Sequence, residues 1–252
     1  MLRGFINLNI KISNWFDVTF LPVKYRQDGL KDFVNNVVPK YLKEDQKIVD
    51  IGGGKRPFVG TEVKKLKGMK IIGLDISPSE LKQAPSGVYD KTVVADIGSN
   101  QKLKNIKNAD IVICEAVLEH VVNTQLAVKN ICNILSNQGT ALIYVPCKNA
   151  PFARLNVILP EKFKKKLLHT LHPKSQHAQG FPAYYHNCTP SRMQQLFLEN
   201  KIKDTKTFTY QQSNYFSVFF PIHFVWRISQ LLKGVLKLDN CEGFTIIATK
   251  AN

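Results

Sequence analysis

Between residues 47 and 146 the chain carries five short runs rich in isoleucine and valine, spaced by segments of helical character. They are KIVDI from Lys47, KIIGLD from Lys70, KTVVAD from Lys91, ADIVICE from Ala109 and ALIYVP from Ala141. Runs this short and this apolar suit strands buried on both faces of a parallel sheet. Between them, Ser77-Pro78-Ser79 reads as a helix start. In NTQLAVKNICNILSNQG, Leu126, Val128, Ile131 and Ile134 fall near one helical face, and Gly139 reads as the C-terminal stop. Strand and helix in alternation predict a doubly wound α/β sheet.

After Pro146 the rhythm changes. Residues 147–188 form a long insertion before a helix that Thr189-Pro190 starts well. Two further strand candidates follow, KDTKTFTY from Lys203 and GFTIIATK from Gly243, with a second insertion, residues 211–242, between them. Long segments of this kind in an α/β domain tend to be functional. The expected organisation is an N-terminal amphipathic, helical segment over 1–46 and one domain over 47–252 that carries both insertions.

The first run ends on three glycines, Asp50-Ile51-Gly52-Gly53-Gly54. A dinucleotide fingerprint, G-x-G-x-x-G, would need a third glycine at position 57, which is Pro57. The pattern acid-x-Gly-x-Gly fits in full. It sets a carboxylate at the strand end, which suits a ligand with positive charge and repels a pyrophosphate.

The chain has 252 residues, 44% of them hydrophobic, which is ample for a sizeable core. Its net charge of +16 speaks about partners, with nucleic acid, an anionic membrane surface and acidic or phosphorylated substrates as the candidates. The five cysteines are odd in number and form no Cys-x-x-Cys pair, which argues for reduced thiols and a cytoplasmic protein. The N-terminus shows no secretory-leader pattern, and no run reaches the ~20 apolar residues of a spanning helix.

These motifs, in this order and spacing, resemble the class I S-adenosylmethionine-dependent methyltransferases with a type 11-like methyltransferase domain. VDIGGG resembles their glycine motif, and IIGLDIS places Asp75 and Ile76 at the end of the second strand. The resemblance implies a Rossmann-like sheet of seven strands, the last antiparallel; of the two insertions, after strands five and six, the second departs from the family, which usually joins its last two strands by something short. It implies S-adenosyl-L-methionine as cofactor, held by Asp50, Gly52, Gly53, Gly54, Asp75, Ile76, Asp96, Ile97, Glu115 and Ala116. In that family the second-strand acid holds the ribose hydroxyls. The third-strand acid, here Asp96, meets the adenine amine with the Ile97 backbone beside the ring. Glu115 and Ala116 flank the methionine part. The function expected is O-methylation of a small-molecule, saccharide or lipid-linked acceptor, the last following from association with a membrane surface. The alternatives are an RNA methyltransferase, motivated by charge, and a non-catalytic methyltransferase-like scaffold.

His120, in LEHV directly after the fourth strand, is the candidate base, with a merely structural histidine as the alternative. VLEHV also resembles the Glu-x-x-Glu-His metal motif of quinone-pathway and small-RNA 2′-O-methyltransferases. Its first Glu position is Ala116 here, and Glu115 would be rotated ~100° away on a helix, so no metal is expected. In the first insertion His172, His177, Tyr184, Tyr185 and His186 are the expected acceptor wall. In the second, Phe224, Val225, Ile228, Leu231, Leu232, Val235 and Leu236 alternate at helical spacing with His223, Arg227, Gln230, Lys233 and Lys237. This predicts an amphipathic helix with a cationic polar face, which could serve as a lid, a packing element or a peripheral anchor on the inner face of the membrane. The aromatic N-terminus, with Arg3, Lys11 and Lys24 interleaved, supports the anchor.

Overall fold

The computed structural model describes residues 2–100, 103, 106–158, 181–213, 215–235 and 240–251. In chain order the elements are α1 (Leu2–Phe20), α2 (Val23–Arg26), α3 (Gly29–Asp32), β1 (Lys47–Ile51), α4 (Thr61–Leu66), β2 (Lys70–Asp75), α5 (Pro78–Lys82) and β3 (Lys91–Val94). They continue as β4 (Ala109–Glu115), α6 (Thr124–Ile134), β5 (Leu135–Pro146), α7 (Pro151–Ile158), α8 (Pro190–Glu199), β6 (Asp204–Tyr210), α9 (Phe220–Val235) and β7 (Gly243–Thr249).

The strands form one seven-stranded sheet in the order β3-β2-β1-β4-β5-β7-β6. Adjacent strands from β3 across to β5 pair in parallel, and β7 runs antiparallel to both β5 and β6. The Rossmann-like sheet with an antiparallel seventh strand is therefore present. Successive side chains of a strand point to opposite faces, so each apolar run feeds two cores. Val49, Ile51, Val112, Cys114 and Ile143 bury on one face with Val128 and Ile131 of α6 and Phe197 of α8. Ile48, Ile71, Ile111, Ile113 and Leu142 bury on the other, beneath Phe33, Val37 and Val38. The chain builds β1 to β3 outward, then crosses back to lay β4 on the other side of β1. That reversal opens a crevice at the carboxyl ends of β1 and β4.

One helix end differs from the sequence expectation. α6 stops at Ile134, because Leu135 turns extended and pairs with Ala109 of β4. Residues 136–139 loop out of register, with Gln138 at φ +60°, and pairing resumes at Thr140 opposite Ile111. Gly139 is needed for room, not as a helix stop, since a Cβ there would sit 2.6 Å from the Ala109 carbonyl oxygen.

The second insertion forms its helix, α9, but turned over. His223, Arg227 and Gln230, expected on a cationic outer face, are each 1% exposed, while Phe224, Val225, Ile228 and Leu232 face outward. Leu236 and Lys237 lie outside the described residues. α1 packs on α9 in the same sense. Its buried stripe is Asn9, Ser13 and Asp17, spaced by one helical turn, and Leu8, Trp15 and Val18 are exposed. Asn9 Oδ1 accepts the Phe220 amide (2.9 Å), one of the N–H groups that the start of α9 leaves without a helical acceptor. Ser13 Oγ donates to the Ser217 carbonyl (3.1 Å).

Candidate active site

β1 ends at Ile51 and the chain turns at once through Gly52-Gly53-Gly54. Gly52 has φ +76°, and a Cβ there would meet Val117 Cγ2 at 2.3 Å. A Cβ on Gly53 would meet Asp50 Oδ2 at 2.3 Å and the Tyr89 hydroxyl at 2.5 Å, and one on Gly54 would meet Asp75 Oδ2 at 2.9 Å. The loop is thus wedged between the ends of β1, β2 and β4 with no room for side chains. We expect Gly52→Ala to cost about 1–3 kcal/mol, from left-handed strain and the Val117 clash together, read as a lower urea midpoint.

Asp50 lies under this loop. Its Oδ2 accepts hydrogen bonds from the Phe58 amide (2.8 Å) and the Tyr89 hydroxyl (3.2 Å), so the carboxyl shapes the loop as well as charging it. Burial pushes it up to about 6 against those two bonds, and the charges of Glu115 and Asp75 push the same way. Asp75 closes β2. Its Oδ1 accepts the Ser77 amide (2.8 Å), Oδ2 faces Gly54, and burial raises it. Ile76, the next residue, is exposed. Asp96 follows β3 and accepts the Gly98 amide (2.7 Å), while Ile97 is buried with its carbonyl bound by Asn130 (2.8 Å). Glu115 ends β4 half-buried and raised by burial.

Ala116 then takes φ +52°, donates its amide to the Tyr144 carbonyl (2.9 Å), and swings the chain into a one-turn helix, Leu118–His120. Glu115 and Glu119 are therefore not on a common α-helix, and the ~100° rotation argument does not apply to them. Among the described residues no three histidine, cysteine, aspartate or glutamate side chains converge as a metal would need.

The glycine cradle and its ring of buried carboxylates fit one kind of ligand. Burial raises Asp50, Asp75 and Glu115 alike, the charges of Asp75 and Glu115 raise Asp50 further, and a cation laid among them relieves both the desolvation and the repulsion. The family described as a methyltransferase domain matches residues 23–191. The chain belongs to that family.

It is a class I S-adenosylmethionine-dependent methyltransferase, and S-adenosylmethionine is its cofactor. Solved structures share the fold at low identity. A SAM-dependent methyltransferase from Archaeoglobus fulgidus is 17% identical with a TM-score of 0.55, over 88% of this chain and 93% of that one. YcgJ from Bacillus subtilis is 14% identical with a TM-score of 0.51, over 87% and 98%. Phosphoethanolamine N-methyltransferase 2 from Haemonchus contortus, solved with S-adenosyl-L-methionine, is 15% identical with a TM-score of 0.52, over 95% of this chain and 60% of that one. Comparison with curated proteins returned no match.

Beyond the glycine loop, the segment from Phe181 to Cys188, expected as part of the acceptor wall, lies along the Leu118–His120 turn. The Glu119 carbonyl accepts the amides of Tyr184 (2.7 Å) and Tyr185 (3.0 Å), and Thr124 Oγ1 donates to the His186 carbonyl (2.7 Å). His186 Nδ1 meets the Val122 carbonyl at 2.8 Å, and His120 Nδ1 meets the Pro182 carbonyl at 2.9 Å. A carbonyl only accepts, so Nδ1 of His120 donates, and in the neutral ring Nε2 is the nitrogen that holds the lone pair. The structure thus brings together His120, Tyr184, Tyr185 and His186, whereas His172 and His177 lie outside the described residues.

Sequence reasoning met Glu119 only as a matching position of the Glu-x-x-Glu-His motif and gave it no role once no metal was expected. It is 4% exposed, its Oε1 lies 3.7 Å from His120 Nε2, and its Oε2 is buried without a hydrogen-bond partner. Burial pushes its carboxyl up to about 8 against a backbone hydrogen bond, and the Glu115 charge adds to the rise. The charge of Glu119 when ionised reaches the hydroxyls of Tyr144, Tyr185 and Tyr215.

Proposed function

We propose that this methyltransferase transfers its methyl group to a hydroxyl of a saccharide or lipid-linked acceptor at the membrane surface, with His120 as general base. The observation that carries the reading is the pair at the end of β4. A histidine with a free Nε2 stands beside a buried carboxyl whose Oε2 lacks a partner. An orphaned buried carboxyl oxygen costs free energy unless a ligand completes it.

Asp75 would hold the ribose, Asp96 and Ile97 the adenine, and the glycine loop with Glu115 and Ala116 the methionine end. The bound cofactor supplies a methyl carbon already activated by its sulfonium sulfur. The protein's own part is alignment and one proton transfer. Glu119 Oε2 would fix the acceptor hydroxyl, and His120 Nε2 would take its proton as the methyl carbon passes from sulfur to oxygen, the sulfur leaving as a neutral thioether. Pro182 holds the imidazole so that Nε2 stays the free nitrogen.

A lipid-linked acceptor is favoured by a groove of about 640 Å³ between α7 and α9, lined by Leu155, Ile158, Ile222 and Val225 with Arg154 beside them. α7 also contributes Asn156, which bonds the Tyr185 hydroxyl, so groove and acceptor wall adjoin. The test is methyl transfer from labelled cofactor to matched hydroxyl and amine acceptors with isoprenoid or acyl tails. We expect transfer to hydroxyls, a fall of ~10²–10⁴-fold in kcat for His120→Ala with product binding intact, and a smaller fall for Glu119→Gln. Transfer to amines alone, or a His120→Ala enzyme at full rate, refutes the assignment.

A further inference from the structure

Soluble helices bury their apolar face and show water their polar one. α1 and α9 do the reverse. Inside the pair lie Asn9, Ser13, Asp17, His223, Arg227 and Gln230, all buried. Outside lie Leu8, Trp15 and Val18 on α1, and Val225, Ile228 and Leu232 on α9, with Trp15 at 60% and Val225 at 67% exposure.

The exposed apolar surface is contiguous. Phe5 meets Phe219 (centroids 6.3 Å) and Phe16 meets Phe224 (5.3 Å), joining α1 to α9. The groove beside Leu155 and Ile158 joins α9 to α7, whose Ile158 is itself exposed. A surface of this character is an interaction site, not a solvated face.

Charge decides the occupant. Asp17 is the one acidic residue in these three helices, and it is buried. Lys11 lies between Leu8 and Trp15 at helical spacing, exposed, and Lys24 and Arg3 flank the face, on a chain whose net charge is +16. Apolar side chains at the centre, tryptophan among them, with cations at the margin and no acid match a bilayer with anionic headgroups. Among the described residues no helix is long and apolar enough to cross a membrane. We infer that α1, α7 and α9 form an in-plane docking face that inserts into the interface of an anionic phospholipid bilayer. The inference deepens the membrane-surface placement proposed above, but it is independent of the transfer chemistry and is read without cofactor or acceptor.

The experiment is vesicle flotation with phosphatidylcholine alone and with roughly a third phosphatidylglycerol. We expect wild-type protein to float with the anionic vesicles and roughly tenfold less with the neutral ones. We expect Val225→Glu to lower the anionic binding roughly tenfold or more, because it sets a carboxylate against acyl chains and acidic headgroups. Trp226 is buried and Trp15 exposed, and these are the two tryptophans, so a blue shift on binding reports Trp15 and is lost in Trp15→Phe. The blue shift is read on the wild type, so it stands even where Val225→Glu folds poorly. Absence of flotation with anionic vesicles overturns the inference. So does a lipid-free dimer in sedimentation that Val225→Glu splits, which would make the face a protein interface. Failure of the hydroxyl-transfer assay with flotation intact would refute the acceptor chemistry and leave the docking face standing.

Discussion

Asp75→Ala should lose almost all of the stabilisation that S-adenosylhomocysteine confers on the wild type. A ligand bound only to the folded state at a hundredfold over its dissociation constant adds ~2.7 kcal/mol to the unfolding free energy. The Asp75 carboxylate is fixed in place by the Ser77 amide at 2.8 Å, and its other oxygen faces the glycine loop. A carboxylate can accept from two ribose hydroxyls, and each charge-assisted bond contributes ~1.5–3 kcal/mol, so losing both weakens binding by ~100-fold or more. The ligand-free variant should melt close to the wild type. Asp75 is one of the charges that raise Asp50, and its removal relieves that repulsion. A carboxyl raised on folding stabilises below its unfolded value and disfavours the fold as pH climbs through the folded one, so no neutral-pH stability is lost with it. Calorimetric titration and thermal shift with S-adenosylhomocysteine, with NAD as control, read the outcome. An Asp75→Ala protein that binds as tightly as wild type would remove Asp75 from the cofactor site.

The inner parallel strands were open to reading because burial on both faces leaves no choice of residue, whereas β3, at the sheet edge, is mostly exposed, against the expectation of burial on both faces. KIVDI, KIIGLD and ADIVICE correspond residue for residue to β1, β2 and β4. β5 was legible only from Ala141 onward. Its first residues look helical in sequence, and only pairing with Ala109 and the left-handed Gln138 reveal them as strand. The glycine loop and the acids at the strand ends were legible for the same reason, since each stands where an apolar run stops. Burial was not legible. Glu119 reads as one position of an incomplete metal motif, and its burial beside the Phe181–Cys188 segment leaves no sign in sequence, because that segment comes from more than sixty residues downstream.

The orientation of α9 is the instructive miss. A periodic pattern separates two stripes of a helix without saying which one meets the protein. The pattern puts His223, Arg227 and Gln230 on the cationic polar stripe of an amphipathic helix, and burying such groups alone is costly. They are not alone. Asp17, from the other end of the chain, supplies the countercharge, and Glu242 accepts from Gln230 (2.6 Å) and from Trp226 (3.0 Å). Partners two hundred residues apart leave no local signature.

That countercharge gives the largest stability effect expected in the protein. Asp17 accepts from His223 Nε2 (2.8 Å) and from Arg227 through both Nε (3.0 Å) and Nη2. Arg227 also donates to the carbonyls of Tyr25 (3.1 Å) and Gln211 (2.9 Å) and lies over the Trp226 ring (4.2 Å). Asp17→Ala strands a fully buried guanidinium, and breaking such a pair costs about 3–5 kcal/mol, a large share of a typical 5–15 kcal/mol. Asp17→Leu combined with Arg227→Met should recover much of that loss, because it removes both charges from the interior. Burial opposes ionisation of Asp17, but the His223 and Arg227 hydrogen bonds outweigh it and hold the carboxyl below its ordinary 3.8. The stability it contributes is therefore complete above that value and lost as pH falls through the folded one, so the acid limb of the wild-type melting curve should flatten in the double variant. What the network secures is rotation. The outer stripe of α1, with Leu8 and Trp15, is more apolar than its inner one, so hydrophobicity alone would roll the helix over. Asn9, Ser13 and Asp17 hold the polar stripe inward by bonds that exist in one register only. Chemical denaturation measures the cost, and Trp15 emission in the absence of lipid measures the roll. A single variant within ~1 kcal/mol of wild type would show that the guanidinium is served without Asp17, and an unshifted Trp15 would show that something else sets the register.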